Sequence, residues 1–212
     1  MKITLHFPLP YAVVYGGKTY KLKPYFDNVL KVFALQKEQD LSERDRLEVS
    51  LDLLVKSKHS KLSERDKTGL LNAIYDVLMD EEKREPDGTA PIFDFVQDAG
   101  YIYASFLSDY GLDLYEQQGR LHWWAFIQLF RGLSEGAKIV QVMQIRAKPI
   151  PAPTKYNTEE RKQLARLKAQ YALKTTQEER ERNFAAGLKR LAGLMRGIAE
   201  NEEVSRQWQT ER

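Results

Sequence analysis

The stretch that most constrains the fold is RLHWWAFIQLF, residues 120 to 130. Eight of the ten residues from Leu121 to Phe130 are apolar, so a helix here is hydrophobic on nearly every side and needs other helices around it. We therefore predict a central core helix, with His122 hydrogen-bonded locally in its first turn. Trp123 and Trp124 point about 100° apart on such a helix. One of them is a candidate to line a groove or an interface, where tryptophan is enriched.

Patterns before this stretch predict a small β-hairpin followed by helices. AVVYGGKTYKL contains two alternating runs joined by Gly16 and Gly17, a pair that tolerates the positive φ values of a tight turn. Beyond Pro24, apolar residues recur at helical spacing. Two copies of LSERD, at 41–45 and 62–66, each offer a serine N-cap followed by acidic residues. We read them as the starts of two helices that pack as an antiparallel pair.

The remaining elements are bounded by glycine, proline and charge. EEKREPDGTAP, at 81–91, is expected to be a loop. The next helix carries Ala99 to Tyr110, and Gly111 is placed to end it in a left-handed conformation. A further helix is expected from near Ser134 to about Arg146.

Three prolines at positions 149–153 forbid a continuous helix and indicate an extended connection. The predicted organisation is a β-hairpin plus helical-bundle domain over 1–147, a proline-rich linker over 148–157 and a C-terminal helical arm over 158–212. The predicted fold class is mainly α.

Composition narrows the setting in which the chain works. It has no cysteine, which removes disulfides and thiolate chemistry and fits a reducing compartment. No run approaches the roughly 20 apolar residues that span a bilayer, and Pro8 and Pro10 interrupt the N-terminus before it could form a signal-peptide core. We expect a folded cytoplasmic protein that is not inserted in a membrane.

Nothing in the sequence indicates a catalytic, cofactor or metal site. His6, His59 and His122 stand in unlike contexts without ligand spacing. GLSEGAK, at 132–138, departs from the phosphate-loop pattern, and Asp109 and Asp113 are not singled out as an acid and base pair. The chain is not predicted to be an enzyme.

The arm carries the clearest candidate for partner binding. A coiled-coil seam with spacing 4, 3, 4, 3 is formed by Phe184, Leu188, Leu191, Met195 and Ile198. Three glycines within it each cost a helix about 0.8–1 kcal/mol relative to alanine, so this helix needs something packed on it. Its own domain, another protein's helix and a second copy of the chain remain alternatives.

Basic residues are concentrated in the same part of the chain. The net charge is +3 overall, and residues 155–212 contribute +4, from 13 lysines and arginines against 9 glutamates. These charges alternate with glutamates and do not form a stripe, so nucleic-acid binding is the least favoured role for the arm.

Residues 101–151 resemble the phage gene-product-fifteen family of tailed bacteriophages and prophages of Gram-positive bacteria. The resemblance rests on YASF at 103–106, DYGLDL at 109–114, LHWW at 121–124, Gly132-Leu133, and QIR at 144–146 before the prolines. It covers roughly residues 10 to 173, and the segment from 175 onward lies beyond it.

The resemblance implies a tail assembly chaperone, a non-catalytic helper that binds the tape-measure protein and promotes polymerisation of the tail-tube protein around it in the host cytoplasm. It also implies departure before the tail is complete. Helix-in-groove contacts are the natural mode for this task. Two alternatives remain: a structural virion component, such as a tail adaptor or completion subunit, and a nucleic-acid-binding factor that uses the basic arm.

Overall fold

A β-hairpin and the helix after it open the chain as the sequence predicts. The computed structural model describes residues 5–36, 38, 40–79 and 91–174. Strand β1 (Ala12–Tyr15) pairs antiparallel with β2 (Lys18–Lys21), and Gly16 and Gly17 between them have φ values of 55° and 72°. Helix α1 (Phe26–Leu35) follows Pro24.

The two LSERD copies begin two helices, as predicted. Helix α2 (Glu43–Leu54) is capped by Ser42, whose hydroxyl accepts the Asp45 N–H at 3.1 Å. Helix α3 (Glu64–Leu78) is capped in the same way by Ser63, with the Asp66 N–H at 3.2 Å. The two helices pack against each other, and Lys67 of α3 forms an ion pair with Glu48 of α2.

The second half of the described chain is also helical. It comprises α4 (Ala99–Tyr110), α5 (Trp123–Arg131), α6 (Lys138–Ala147) and α7 (Thr158–Gln170). Gly111 ends α4 with a φ of 62°, as predicted, and residues 148–157 contain neither helix nor strand. The mainly α fold class is confirmed by these helices and the N-terminal hairpin. The nine elements of the described residues all lie in one compact unit, in which α7 packs on α6.

The core is built around α5, as its apolar sequence predicts. Phe126 has no exposed surface, and its ring stacks on Phe26 of α1 at 4.9 Å and on Phe106 of α4 at 5.2 Å between ring centroids. The ring centroids of Trp123 and Phe126 are 5.6 Å apart. Buried aromatic rings in offset or edge contact stabilise a core beyond the area they bury. Helix α5 therefore joins the first and second halves of the described chain.

Helix α6 begins at Lys138 rather than near Ser134, so the sequence-based start was wrong by four residues. Its N-cap, Ala137, has no side-chain acceptor, and the hydroxyl of Ser105 on α4 accepts the Ile139 N–H at 3.0 Å instead. The Ser134 N–H donates to Asp109 of α4 at 2.7 Å and is not part of the helix. Tertiary contacts with α4, and not a local cap, set where α6 starts.

A buried ion pair ties α4 to α6. Asp98, at the start of α4, is 1% exposed and receives two hydrogen bonds from the Arg146 guanidinium, at 2.6 and 2.8 Å. Arg146 also donates to the carbonyls of Ile92 and Tyr171, at 3.0 and 2.6 Å. A bidentate pair with its remaining donors satisfied is the geometry in which burial of two charges is tolerated.

We predict that Arg146→Met destabilises the protein strongly, because Asp98 would keep a buried charge without its cation. The expected loss in the free energy of unfolding is about 3–5 kcal/mol, measured by urea denaturation. The matched control is Lys162→Met, which removes the exposed partner of Glu159 and should cost less than about 1 kcal/mol. Equal effects of the two substitutions would contradict a special role for the buried pair.

Candidate functional site

An apolar groove runs between α1 and α4 in the described part of the chain. Its volume is about 310 Å³. Buried rings of Phe26 and Phe126 contribute to its lining, and other lining residues reach the surface, among them Tyr115 at 72% exposure. The described lining residues are Phe26, Asp27, Leu30, Lys31, Ala34, Phe95, Ala99, Ile102, Tyr103, Leu114, Tyr115, Gln118 and Phe126.

Helical spacing explains how α1 supplies one wall of this groove. Phe26, Leu30 and Ala34 recur every four residues, so their side chains follow one another along one side of the helix. The final member is an alanine, which leaves space at that point. Asp27 and Lys31 have the same spacing and form the adjacent row.

Asp27 and Lys31 form an ion pair at 2.8 Å, in which the Asp27 side chain is largely buried and the Lys31 side chain is exposed. The Asp27 carboxylate also accepts the Gly119 N–H at 2.9 Å. Burial by itself would raise the pKa of Asp27, but the hydrogen bond from Gly119 and the charge of Lys31 lower it, and the net pKa lies below its usual value. Asp27 is therefore ionised at neutral pH.

The connection between α4 and α5 supplies a second wall of the groove. Leu114, Tyr115 and Gln118 come from this segment. Asp113 shapes it by accepting the Tyr115 N–H at 2.8 Å and the Tyr103 hydroxyl at 3.3 Å. The bond from Gly119 to Asp27 then fixes the end of the segment to α1. Asp113 thus has a structural role in the groove wall.

His122 caps α5 and links it to the segment before the hairpin. Its Nδ1 accepts the Trp124 N–H at 3.1 Å, so its Nε2 carries the proton and donates to the Pro10 carbonyl at 3.1 Å. Burial lowers the pKa of His122, and the bond to Pro10 opposes this only in part. The prediction of a local hydrogen bond is confirmed, and the long-range bond to Pro10 was not predicted.

Trp123 and Trp124 are both buried, at 4% and 6% exposure. Trp123 packs in the aromatic core, edge-on to Phe33 at 5.6 Å. Trp124 lines a smaller cavity of about 160 Å³ together with Met79 and Ile127. Neither indole is offered as an open surface, and the expectation that one of them contacts a partner stays a prediction.

The other predicted partner-binding residues, Phe184, Leu188, Leu191, Met195 and Ile198, lie outside the described residues. Within the described ranges, no group of three or more His, Asp or Glu side chains is arranged to hold a metal ion. None of the described helices combines the length and apolarity needed to cross a bilayer.

The groove was not predicted from the sequence, although the sequence contains one signal for it. Asp27 and Lys31 stand at i and i+4 beside the apolar row of α1, a spacing that predicts an ion pair on a helix. The wall formed by residues 112–120 had no comparable signal, because its position depends on a contact between Gly119 and a residue 92 positions earlier.

Comparison with known proteins supports the resemblance found in the sequence. A family model described as Bacteriophage Gp15 protein matches residues 5–173, which include the whole groove. Neither the curated proteins nor the solved structures yielded a match.

We predict that acidification destabilises the protein through His122. Its folded pKa is lowered, so as the pH falls below about 6.5 the unfolded state binds this proton before the folded state does. Stability from His122 is thus complete above that pH and is lost below it, by at most about 1.4 kcal/mol per pH unit for one proton.

The measurement is the free energy of unfolding between pH 7.5 and 5, compared with that of His122→Asn. Asparagine keeps a capping acceptor but does not titrate, and His6 and His59 are present in both proteins. If the free energy of unfolding fell with pH equally in the two proteins, His122 would not be the cause of the acid destabilisation.

Proposed function

Because this chain belongs to the bacteriophage Gp15 protein family, which indicates a phage structural or assembly-related protein, we propose that it is a tail assembly chaperone. In this proposal it acts in the host cytoplasm, binds the tape-measure protein of its phage and promotes assembly of the tail-tube protein around it. It leaves before the tail is complete.

The observation that carries the proposal is the open apolar groove between α1 and α4. A tape-measure protein is long and rich in helices, and the apolar faces of such helices aggregate unless something covers them. A groove lined by aliphatic and aromatic side chains suits an amphipathic helix whose anchor side chains recur at i, i+3, i+4 and i+7.

The dimensions of the groove also favour a reversible grip. A volume of about 310 Å³ accommodates a few side chains of a helix rather than its whole apolar face. Stable interfaces typically bury about 1,600 Å² in total. A contact limited to such a groove is weak alone, which suits a helper that must release its partner.

The seam of the C-terminal arm supplies a second proposed contact. Phe184, Leu188, Leu191, Met195 and Ile198 would extend the apolar surface available to a helix or pair with a second copy of the chain. Two weak contacts on one chain raise the overall affinity for the partner, while each contact by itself still dissociates quickly. Trp123 or Trp124 is retained as a lesser candidate.

Co-expression with the tape-measure protein of the same phage tests the proposal. We expect the tape-measure protein to become soluble and to co-purify with this chain. The protein should also be missing from purified mature particles. Its presence there would favour a structural component of the virion, such as a tail adaptor or completion subunit, over a chaperone that departs.

We predict that Ala34→Trp abolishes most of this capture, because the indole fills the space that the alanine leaves in the groove. We expect at least a tenfold loss, the equivalent of about 1.4 kcal/mol, in the amount of tape-measure protein recovered at limiting concentration. Ala165→Trp, on the exposed side of α7, is the control and should bind like the parent. Unchanged capture by Ala34→Trp would rule out the groove as the site.

We further predict that Leu191→Asp weakens capture while the bundle stays folded, because it places a charge in the seam. Ala186→Asp, which the heptad spacing puts away from the seam, is the control. The readouts are co-purification and the thermal midpoint of the bundle. If Leu191→Asp captured the tape-measure protein as well as the parent, the seam would have no part in binding.

A further inference from the structure

The charged residues of the groove form one ion pair, and its two members differ in their exposure to solvent. Among the described lining residues, Asp27 and Lys31 are the charged ones. The Lys31 side chain is 53% exposed, whereas that of Asp27 is 10% exposed. A molecule that enters the groove therefore meets the ammonium and is kept from the carboxylate.

The carboxylate is also satisfied more fully than the ammonium. Asp27 accepts the Gly119 N–H and a hydrogen bond from Lys31, and it lies in the first turn of α1, where the helix dipole favours a negative charge. An ammonium has three donors, and a single hydrogen bond from it, to Asp27, is seen here. Lys31 can accept a second anionic partner without giving up the first.

The wall formed by the connection between α4 and α5 adds neutral polar groups. Gln118 and Tyr115 belong to the lining, and Tyr103 already donates its hydroxyl to Asp113. Asp113 in turn accepts from both Tyr103 and the Tyr115 backbone, so it is engaged within the wall. The position at which an incoming charge can be recognised is therefore Lys31.

We propose that the groove selects an amphipathic helix that carries an aspartate or glutamate within one turn of its apolar anchors, and that Lys31 binds this carboxylate. This inference rests on the proposed function, and it adds the chemistry of the partner segment. The apolar lining supplies most of the affinity, and the ion pair sets which segment of the partner is chosen, and in which register.

The test uses the full chain and overlapping 20-residue peptides that tile the tape-measure protein, with binding followed by fluorescence anisotropy. Peptides that Ala34→Trp no longer binds are those held in the groove. We expect them to contain an acidic residue within one turn of the apolar anchors. Replacing that residue by glutamine should weaken binding to the parent about two- to fivefold, the range of an exposed ion pair.

Variants of Lys31 complete the charge swap. Lys31→Met should weaken binding by the same two- to fivefold, and Lys31→Glu by roughly tenfold, because repulsion adds to the loss of attraction. A peptide in which the acidic residue is changed to lysine should regain affinity for Lys31→Glu. The differences should shrink at high salt, which screens exposed charges.

Lys162→Glu is the matched control, because Lys162 is also a half-exposed helical lysine paired with a carboxylate on its own helix. It should bind like the parent. Lys31→Met introduces no repulsion with Asp27, so it still tests the inference if Lys31→Glu unfolds, and thermal midpoints identify that case.

The possible outcomes distinguish a failure of this inference from a failure of the proposed function. Binding that Ala34→Trp abolishes but that neither Lys31 variant changes would overturn the role of Lys31 and leave the groove as the partner site. Selection of peptides flanked by lysine or arginine would do the same. If the parent bound no peptide, both the proposed function and this inference would fail.

Discussion

The pairing of the backbones at the starts of α1 and α5 is the contact on which the rest of the bundle depends. The Phe26 N–H donates to the Leu121 carbonyl at 3.0 Å, and the Trp123 N–H donates to the Pro24 carbonyl at 2.8 Å. Helix starts leave N–H groups without partners in their own helix, and here each helix receives one of its acceptors from the segment before the other. Because this pairing sets α5 beside α1, it also places Phe126 against Phe26 and Gly119 against Asp27.

Local chemistry made much of the fold predictable. Serine caps placed α2 and α3, two glycines placed the hairpin turn, and Gly111 placed the end of α4. Each of these signals acts over four residues or fewer, so the sequence displays it directly. The start of α6 was mispredicted because its cap comes from Ser105, 34 positions away. A local reading cannot detect an acceptor that tertiary packing supplies.

The groove likewise combines local features, which the sequence shows, with tertiary features, which it does not. Helical spacing predicts that Phe26, Leu30 and Ala34 share a face, but not that the face stays open to form a groove. Tryptophan is enriched at interfaces, but Trp123 and Trp124 are both buried, because α5 lies between other helices. The motif residues of α4 are explained by packing. Ser105 accepts a backbone N–H within α6, and Asp109 accepts one in the segment before it. Tyr110 donates to the Leu129 carbonyl of α5.

The bond between His122 and Pro10 has a consequence for the chain as it leaves the ribosome. The two residues are 112 positions apart, and synthesis proceeds at roughly 5–20 residues per second. The hairpin and α1 therefore leave the ribosome several seconds before the segment that contains His122 and α5. Throughout that time Phe26 and Val29, which the finished bundle buries, lack their neighbours from α5. During that interval the nascent chain exposes apolar surface that the finished bundle buries, and transiently exposed surface of this kind is what makes folding chains prone to aggregate and in need of chaperones.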